Sequence, residues 1–320
     1  MSRPTLPQGG DIPAARPNPA RAHRMCRNPL NGRRLAATVK PMPDADLVID
    51  RADPQEWATV TEWAAAEGWN PGPADRIAFF AQDPKGFFLG RVDGEPASAV
   101  SVVNYGNDFA FLGFYLVRPD LRGRGFGLAT WKAGLAHAGG RTVGLDGVPD
   151  QQDNYRRSGF ELAYRSARFT GAPQLPPPDA SVRALASGGF AEVRALDSAC
   201  LPADRPGFLD AWLGNPGHRT LVRIVDGCLT GYGTIRPARD SHRIGPLFAD
   251  TEADARQLLA GLAAGVETLA IDVPLHNDAA VRLVESAGLT PSFETARMYT
   301  AEPRSHSREK VFGVTTLELG

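Results

Sequence analysis

Leu116-Val117-Arg118-Pro119-Asp120-Leu121-Arg122-Gly123-Arg124-Gly125-Phe126-Gly127-Leu128-Ala129 joins an apolar strand to a helix through a glycine-rich turn that carries three arginines. A helix start is already positive by its dipole, so three guanidiniums there cost stability unless an anion answers them. Gly123, Gly125 and Gly127 carry no side chains that would hold a ligand away from the backbone N–H groups, which can then cradle a pyrophosphate. The stretch reads as an anion loop.

Spacing separates the known anion loops. A Walker A loop needs Lys-Ser/Thr after its last glycine, where this chain has Leu128-Ala129. The dinucleotide fingerprint needs a third glycine where its two registers place Leu128 or Thr130, although Asp146 lies about where a ribose-binding acid would. What remains, Arg122-x-x-Gly125-x-Gly127, resembles the coenzyme A pyrophosphate loop of the GNAT N-acyltransferases.

The order of elements around the loop supports this resemblance. Residues 46 to 51 alternate as a strand, and Asp53-Pro54-Gln55-Glu56 reads as an N-cap, a first-turn proline and a capping-box glutamate for a helix running to about Gly68. A second helix fits Ala74 to Gln82, followed by a strand at 87 to 92. The Asp93-Gly94 hairpin signal leads into strands at 97 to 103 and 109 to 117. Beyond the loop come a helix to about Ala138, a strand Thr142 to Asp146, a short helix Gln151 to Ser158 and a strand Leu162 to Phe169. The order β-α-α-β-β-β-α-β-α-β is that of a GNAT domain. The resemblance implies that the loop-bearing strand and the next one splay apart around a pantetheine arm.

Asn154-Tyr155-Arg156-Arg157-Ser158-Gly159-Phe160 is similar to that family's Tyr-x-x-x-Gly-Phe segment, in which the tyrosine protonates the departing thiolate. Expulsion of a thiolate whose pKa is near ~8.5 is eased by such a donor. The position seven residues before the tyrosine, often asparagine in the family, is Val148 here. Alternatively, Tyr155 packs its ring against the sheet.

The second half repeats the first. Gly159 and Ala167-Arg168-Phe169 return as Gly288 and Ala296-Arg297-Met298, all offset by 129 residues, and Val92-Asp93-Gly94 returns as Val225-Asp226-Gly227. Strands at 221–225, 230–236, 243–248, 269–273 and 293–299 and helices at 253–264 and 278–287 complete the series. Where the first half has Arg122 to Gly127, the second has Ala249-Asp250-Thr251-Glu252-Ala253-Asp254, which suits a helix start and repels a pyrophosphate. The counterpart of Tyr155 is Val284.

The fold class is therefore α/β (α+β): two GNAT-like domains, each a central mixed, mostly antiparallel sheet flanked by helices. The expected divisions are a flexible Pro/Arg-rich tail at 1–45, a catalytic domain at 46–171, a proline-rich linker at 172–180 and a degenerate domain at 181–320. Within the tandem resemblance, Glu67-Gly68-Trp69-Asn70-Pro71-Gly72 and Leu317-Glu318-Leu319-Gly320 are among the most specific pieces. The second domain is expected to be a wall for the substrate pocket, or only a stabilising companion.

Composition narrows the partners. In 320 residues, 35 basic side chains stand against 36 acidic ones, a balance that argues against nucleic acid. Cys26, Cys200 and Cys228 show no paired spacing, and the six histidines are scattered, so no disulfide framework or metal is expected. No apolar run approaches a membrane span, and the expected location is the cytoplasm.

The resemblance implies acetyl-coenzyme A as co-substrate, held by the Leu116 and Val117 backbone and by Arg122, Gly123, Arg124, Gly125, Phe126, Gly127 and Leu128. It implies direct transfer to the amine of a small molecule or peptide. Tyr155 is then the acid, and Asp146 either the base or a turn cap. Trp69, Asn70 and Tyr105 lie toward the acceptor, though Asn-Pro-Gly is also ordinary turn chemistry and Trp69 also suits a core. A non-catalytic acyl-coenzyme A sensor and a dinucleotide-binding oxidoreductase are the alternatives. Oligomeric state is left open.

Overall fold

The computed structural model describes residues 46–186 and 189–320; the tail expected at 1–45, with Cys26, lies outside the described residues. After strand β1 (Leu47–Arg51) the capping box forms as read: Asp53 N–H donates to Glu56 Oε2 (2.9 Å), and Glu56 N–H to Asp53 Oδ1 (2.8 Å). Helices α1 (Trp57–Ala66) and α2 (Asp75–Gln82) follow, then strands β2 (Phe87–Val92), β3 (Glu95–Tyr105) and β4 (Phe109–Val117). Asp93 and Gly94 both have positive φ (53° and 80°), the backbone of a tight hairpin turn, and Asp226-Gly227 repeats it (50° and 80°). Trp57 is fully buried and meets Phe80, Phe87 and Phe114 edge-on. Burying each such ring contributes roughly 1.5–3 kcal/mol, which pins α1 and α2 onto the sheet.

The first half continues through α3 (Phe126–Ala138), β5 (Thr142–Gly147), α4 (Gln152–Arg157) and β6 (Glu161–Gly171). The second comprises β7 (Val182–Ala184), α5 (Phe190–Cys200), α6 (Pro206–Leu213), β8 (Arg219–Val225), β9 (Cys228–Pro237), β10 (His242–Ala249), α7 (Glu252–Ala263), β11 (Leu269–Pro274), α8 (Asp278–Ser286), β12 (Thr290–Tyr299) and β13 (Val311–Gly313). The strands form a single sheet in the order β1-β2-β3-β4-β5-β12-β6-β11-β10-β9-β8-β7, with β13 on β10.

That order shows a reciprocal exchange. Strand β12 of the second half lies against β5 of the first (Arg297 opposite Asp146), and β6 lies against β11 of the second (Arg168 opposite Asp272). The sheet therefore does not divide at Gly171, because each half is completed by a strand from the other. A second seam joins α2 to α6: Phe79 stacks on Phe208 at 6.3 Å, and the Phe208 N–H donates to Gln82 Oε1 (3.0 Å).

Helices α5 and α6 and strands β7 and β13 were not anticipated from the sequence. In α5 the buried face is Val193, Asp197 and Cys200, so its periodicity is broken by a carboxylate. Asp197 is buried because Arg205 pairs with both of its oxygens (3.0 and 2.7 Å). Among the described residues no helix is long and apolar enough to cross a membrane, and Cys200 and Cys228 are free.

Candidate active site

Parallel pairing of β4 with β5 runs from Phe109 opposite Thr142 to Leu112 opposite Leu145 and stops there. Beyond it the strands part, and β4 bulges: Ser101 faces Gly113 and Ala99 faces Leu116, leaving Phe114 and Tyr115 opposite Val100 alone. Phe114 takes φ 46°, a left-handed backbone that a side chain other than glycine's tolerates only when its surroundings enforce it. The enforcement is aromatic: Phe114 packs against Trp57, Phe79 and Trp69 with centroids 5.6, 6.0 and 6.4 Å away.

At the open end of the splay lies the arginine-glycine loop. Gly123 and Gly125 have φ of 78° and 85° with open space where a Cβ would stand, so glycine is required there by conformation. Gly127 is required by proximity, since a Cβ would come within 2.7 Å of Tyr115 Oη and Val117 Cγ2. Among the described residues the amides of Gly123 through Leu128 have no backbone acceptor, and the first helical bond is Ala129 N–H to Gly125 O (3.1 Å). The arginines are less crowded than the sequence suggests. Arg118 donates to both oxygens of Asp120 (2.8 and 2.9 Å), and Arg122 pairs with Glu67 and donates to the Val117 carbonyl (3.0 Å). Arg124 is left without a carboxylate or carbonyl partner among the described residues.

From this loop a groove of about 1350 Å³ runs past Leu116, Val117, Phe126, Gly127 and Leu128. It shares Trp69, Tyr115, Val148, Gln151 and Phe293 with a more enclosed chamber of about 610 Å³. Tyr155 lines the chamber; its ring stacks on Trp131 at 5.4 Å and lies so close to Gly147 that a Cβ there would meet it at 2.8 Å. Burial, reinforced by Tyr115 nearby, raises the phenol well above its ordinary range and keeps it protonated at neutral pH.

The other sequence candidates fare differently. Trp69 borders both cavities, and its carbonyl accepts from Arg168 Nη1 (2.8 Å), so it serves as core and lining together. Asn70 is turned away: its amide donates to Ser241 Oγ (2.8 Å) and accepts from Asp240 N–H (2.9 Å), tying the turn to the second half. Tyr105 donates to the Leu319 carbonyl (2.8 Å) and lines a different cavity. Asp146 reaches the chamber wall, where both its oxygens accept from Arg297 (2.9 and 2.7 Å) and its side chain is fully buried, so the carboxylate expected as a base or turn cap sits in an ion pair. These commitments join residues 99 to 214 positions apart, so local sequence could not show them. Phe293, Thr295, Leu317 and Glu318 of the second half also line the chamber; the resemblance singled out Leu317-Glu318 as specific pieces without placing them at the site. No group of three His, Cys, Asp or Glu side chains among the described residues is arranged to hold a metal.

The corresponding splay in the second half is filled. Parallel pairing of β10 with β11 ends at Ile244 opposite Ile271, and beyond it β13 pairs with β10 (Leu247 opposite Gly313, Phe248 opposite Val311). The Val314 N–H then donates to the Asp272 carbonyl (2.9 Å), so the chain's own backbone bridges the gap. The helix beyond begins at Thr251, whose Oγ1 accepts from Asp254 N–H (3.2 Å) and caps the very amides an anion would need.

Comparison with known proteins gives a consistent picture. Residues 54–160 match the model of the acetyltransferase (GNAT) family, and residues 193–313 match a second acetyltransferase (GNAT) domain model. The chain is 35% identical over 272 residues to a holothin acyltransferase of Pseudoalteromonas sp., covering 83% of this chain and 92% of that protein. It is 23% identical to an uncharacterized N-acetyltransferase, YitH, of Bacillus subtilis (65% and 75% covered). Among solved structures, a putative acetyltransferase from Pyrococcus horikoshii superposes with a TM-score of 0.74 at 21% identity (88% and 98% covered). A tandem GNAT protein from the clavulanic acid biosynthesis pathway does so with 0.59 at 17% (80% and 99% covered).

Proposed function

Since the chain belongs to the GNAT acyltransferases and carries two such domains in tandem, we propose that its first half transfers an acetyl group directly from acetyl-coenzyme A to an amine, while its second half binds no coenzyme. The observation that carries this is the continuity of the β4/β5 groove: unpaired amides at one end, a backbone bulge in the middle and Tyr155 at the other.

Each part has a physical task. The free amides of Gly123 to Leu128, with Arg124 and the α3 dipole, suit a pyrophosphate. The β4 edge beyond Leu112, including Leu116 and Val117, offers backbone pairing to the pantetheine amides, and the bulge presents N–H groups to the thioester carbonyl, where negative charge develops in the transition state. Tyr155 donates its proton to the departing sulfur. The burial that raises the phenol raises a thiolate in the same surroundings too, so the sulfur competes for that proton. No covalent enzyme intermediate is needed.

The chamber's lining of Trp69, Phe114, Tyr155, Phe293 and Leu317 suits a small apolar amine better than a peptide. The resemblance to a protein named for acylating holothin favours a small organic acceptor as well. Equilibrium binding of acetyl-coenzyme A, followed by thiol release with a panel of apolar amines, tests the proposal. A sensor would bind the thioester and release no thiol. Tighter binding of NAD than of coenzyme A would favour the oxidoreductase reading.

A further inference from the structure

Two carboxylates line the acceptor chamber, Asp146 and Glu318. Asp146 spends both oxygens on Arg297. Glu318 does not: its Oε1 lies 3.5 Å from Arg243 Nη1, while its Oε2 is buried with no hydrogen-bond donor among the described residues. An acceptor atom withheld from water and left without a partner is destabilising, more so when charged, so its presence in a binding cavity calls for a donor from a ligand. Thr295 Oγ1, on the same chamber wall, is likewise buried and unpartnered.

The backbone places Glu318 beside the reacting centre. A Cβ on Gly113 would collide with the Glu318 carbonyl, so the segment carrying Glu318 is seated directly on the β4 bulge where the thioester carbonyl is expected. In the buried strip between the halves the guanidiniums of Arg168, Arg236, Arg243 and Arg297 face the carboxylates of Asp75, Asp146, Asp272 and Glu318, and guanidinium does not deprotonate.

From these relationships we infer that Glu318, supplied by the second half, receives the acceptor amine at Oε2 and takes its proton during transfer. The inference rests on the acetyl-transfer reading above. In the reaction, the amine nitrogen forms a bond to the thioester carbonyl carbon and its proton passes to Glu318. The carbon–sulfur bond breaks, and the sulfur leaves with the Tyr155 proton. Exchange with solvent returns the proton held by Glu318 and restores that lost by Tyr155, so amide and free thiol are the net products. The second half is thereby a catalytic contributor to a site whose coenzyme lies wholly on the first.

The test uses the full chain saturated with coenzyme A, with 2-phenylethylamine and its alcohol counterpart 2-phenylethanol as probes, followed by calorimetry. The wild-type protein is expected to bind the amine at least tenfold more tightly than the alcohol. In Glu318→Gln that preference disappears while affinity for the alcohol and for coenzyme A holds; Glu318→Asp retains part of it. With acetyl-coenzyme A, thiol release driven by the amine falls by roughly 10² or more in Glu318→Gln. Equal wild-type affinity for amine and alcohol overturns the proposal without recourse to any variant. So does a Glu318→Gln protein that keeps the preference or transfers at the wild-type rate. Failure of the wild-type chain to bind coenzyme A would instead bring down the acetyl-transfer reading itself, a distinct result.

Discussion

Arg297 on β12 donates to both carboxylate oxygens of Asp146 on β5, at 2.9 and 2.7 Å, with both side chains buried. Its partner by internal symmetry is Arg168 on β6, which donates to both oxygens of Asp272 on β11 (2.8 and 3.2 Å). Each pair stitches an exchanged strand to its host. Arg297→Met leaves Asp146 as a buried, uncompensated charge and should cost about 3–5 kcal/mol, read by urea denaturation. Asp146→Asn should likewise lower stability. An Asp146→Asn protein with unchanged stability and abolished turnover would make Asp146 the proton acceptor.

For the anion loop, Gly125→Val is expected to weaken acetyl-coenzyme A binding more than Arg122→Ala. The glycine sits at φ 85°, where valine is strained, whereas Arg122 is already engaged with Glu67. Calorimetry on both variants checks the order; wild-type affinity in Gly125→Val would remove the loop from the binding site.

Tyr155→Phe keeps the stack on Trp131 and deletes only the hydroxyl. Turnover should fall by roughly 10² or more with coenzyme A affinity little changed. An unaltered rate, with chemistry shown to be limiting, would reduce Tyr155 to packing.

One coenzyme A per chain is expected, because β13 occupies the second splay and Thr251 and Asp254 cap the second loop. Two bound equivalents in equilibrium binding would contradict this. The strand exchange adds a consequence for truncation: a chain ending after Gly171 lacks β12, which pairs with β5, and β11, which pairs with β6. It should be insoluble rather than a smaller working enzyme.

His218 supplies a pH dependence. Burial, with Arg236 beside it, lowers its pKa to about 4; its Nε2 has no hydrogen-bond partner among the described residues and lies 3.8 Å from Asp75 Oδ1. The unfolded histidine protonates near pH ~6.5, so between these values the unfolded state binds the extra proton and stability falls as the pH drops. The loss approaches about 1.4 kcal/mol per pH unit within that window. His276 and His306 are lowered too, so the diagnostic is the difference between wild type and His218→Gln, which should lose stability less steeply from pH 6.5 to 4.5. Parallel curves would assign the slope elsewhere.

What the sequence determined by itself is what chain-local chemistry encodes. Asp53 with Glu56 set a helix start, Asp93-Gly94 and Asp226-Gly227 set two hairpins, and the glycines from 123 to 127 set the loop. The recurrence of Ala167-Arg168-Phe169 as Ala296-Arg297-Met298 announced a duplication, though not that those arginines lie on exchanged strands. Tertiary structure alone decided the fate of the polar candidates. A carboxylate is a base, a cap or half of an ion pair according to which donor lies within about 3 Å, and for Asp146 that donor arrives from 151 residues away. A still greater distance in sequence hid the placement of Glu318, whose side chain meets the site only because its segment folds across the bulge at Gly113.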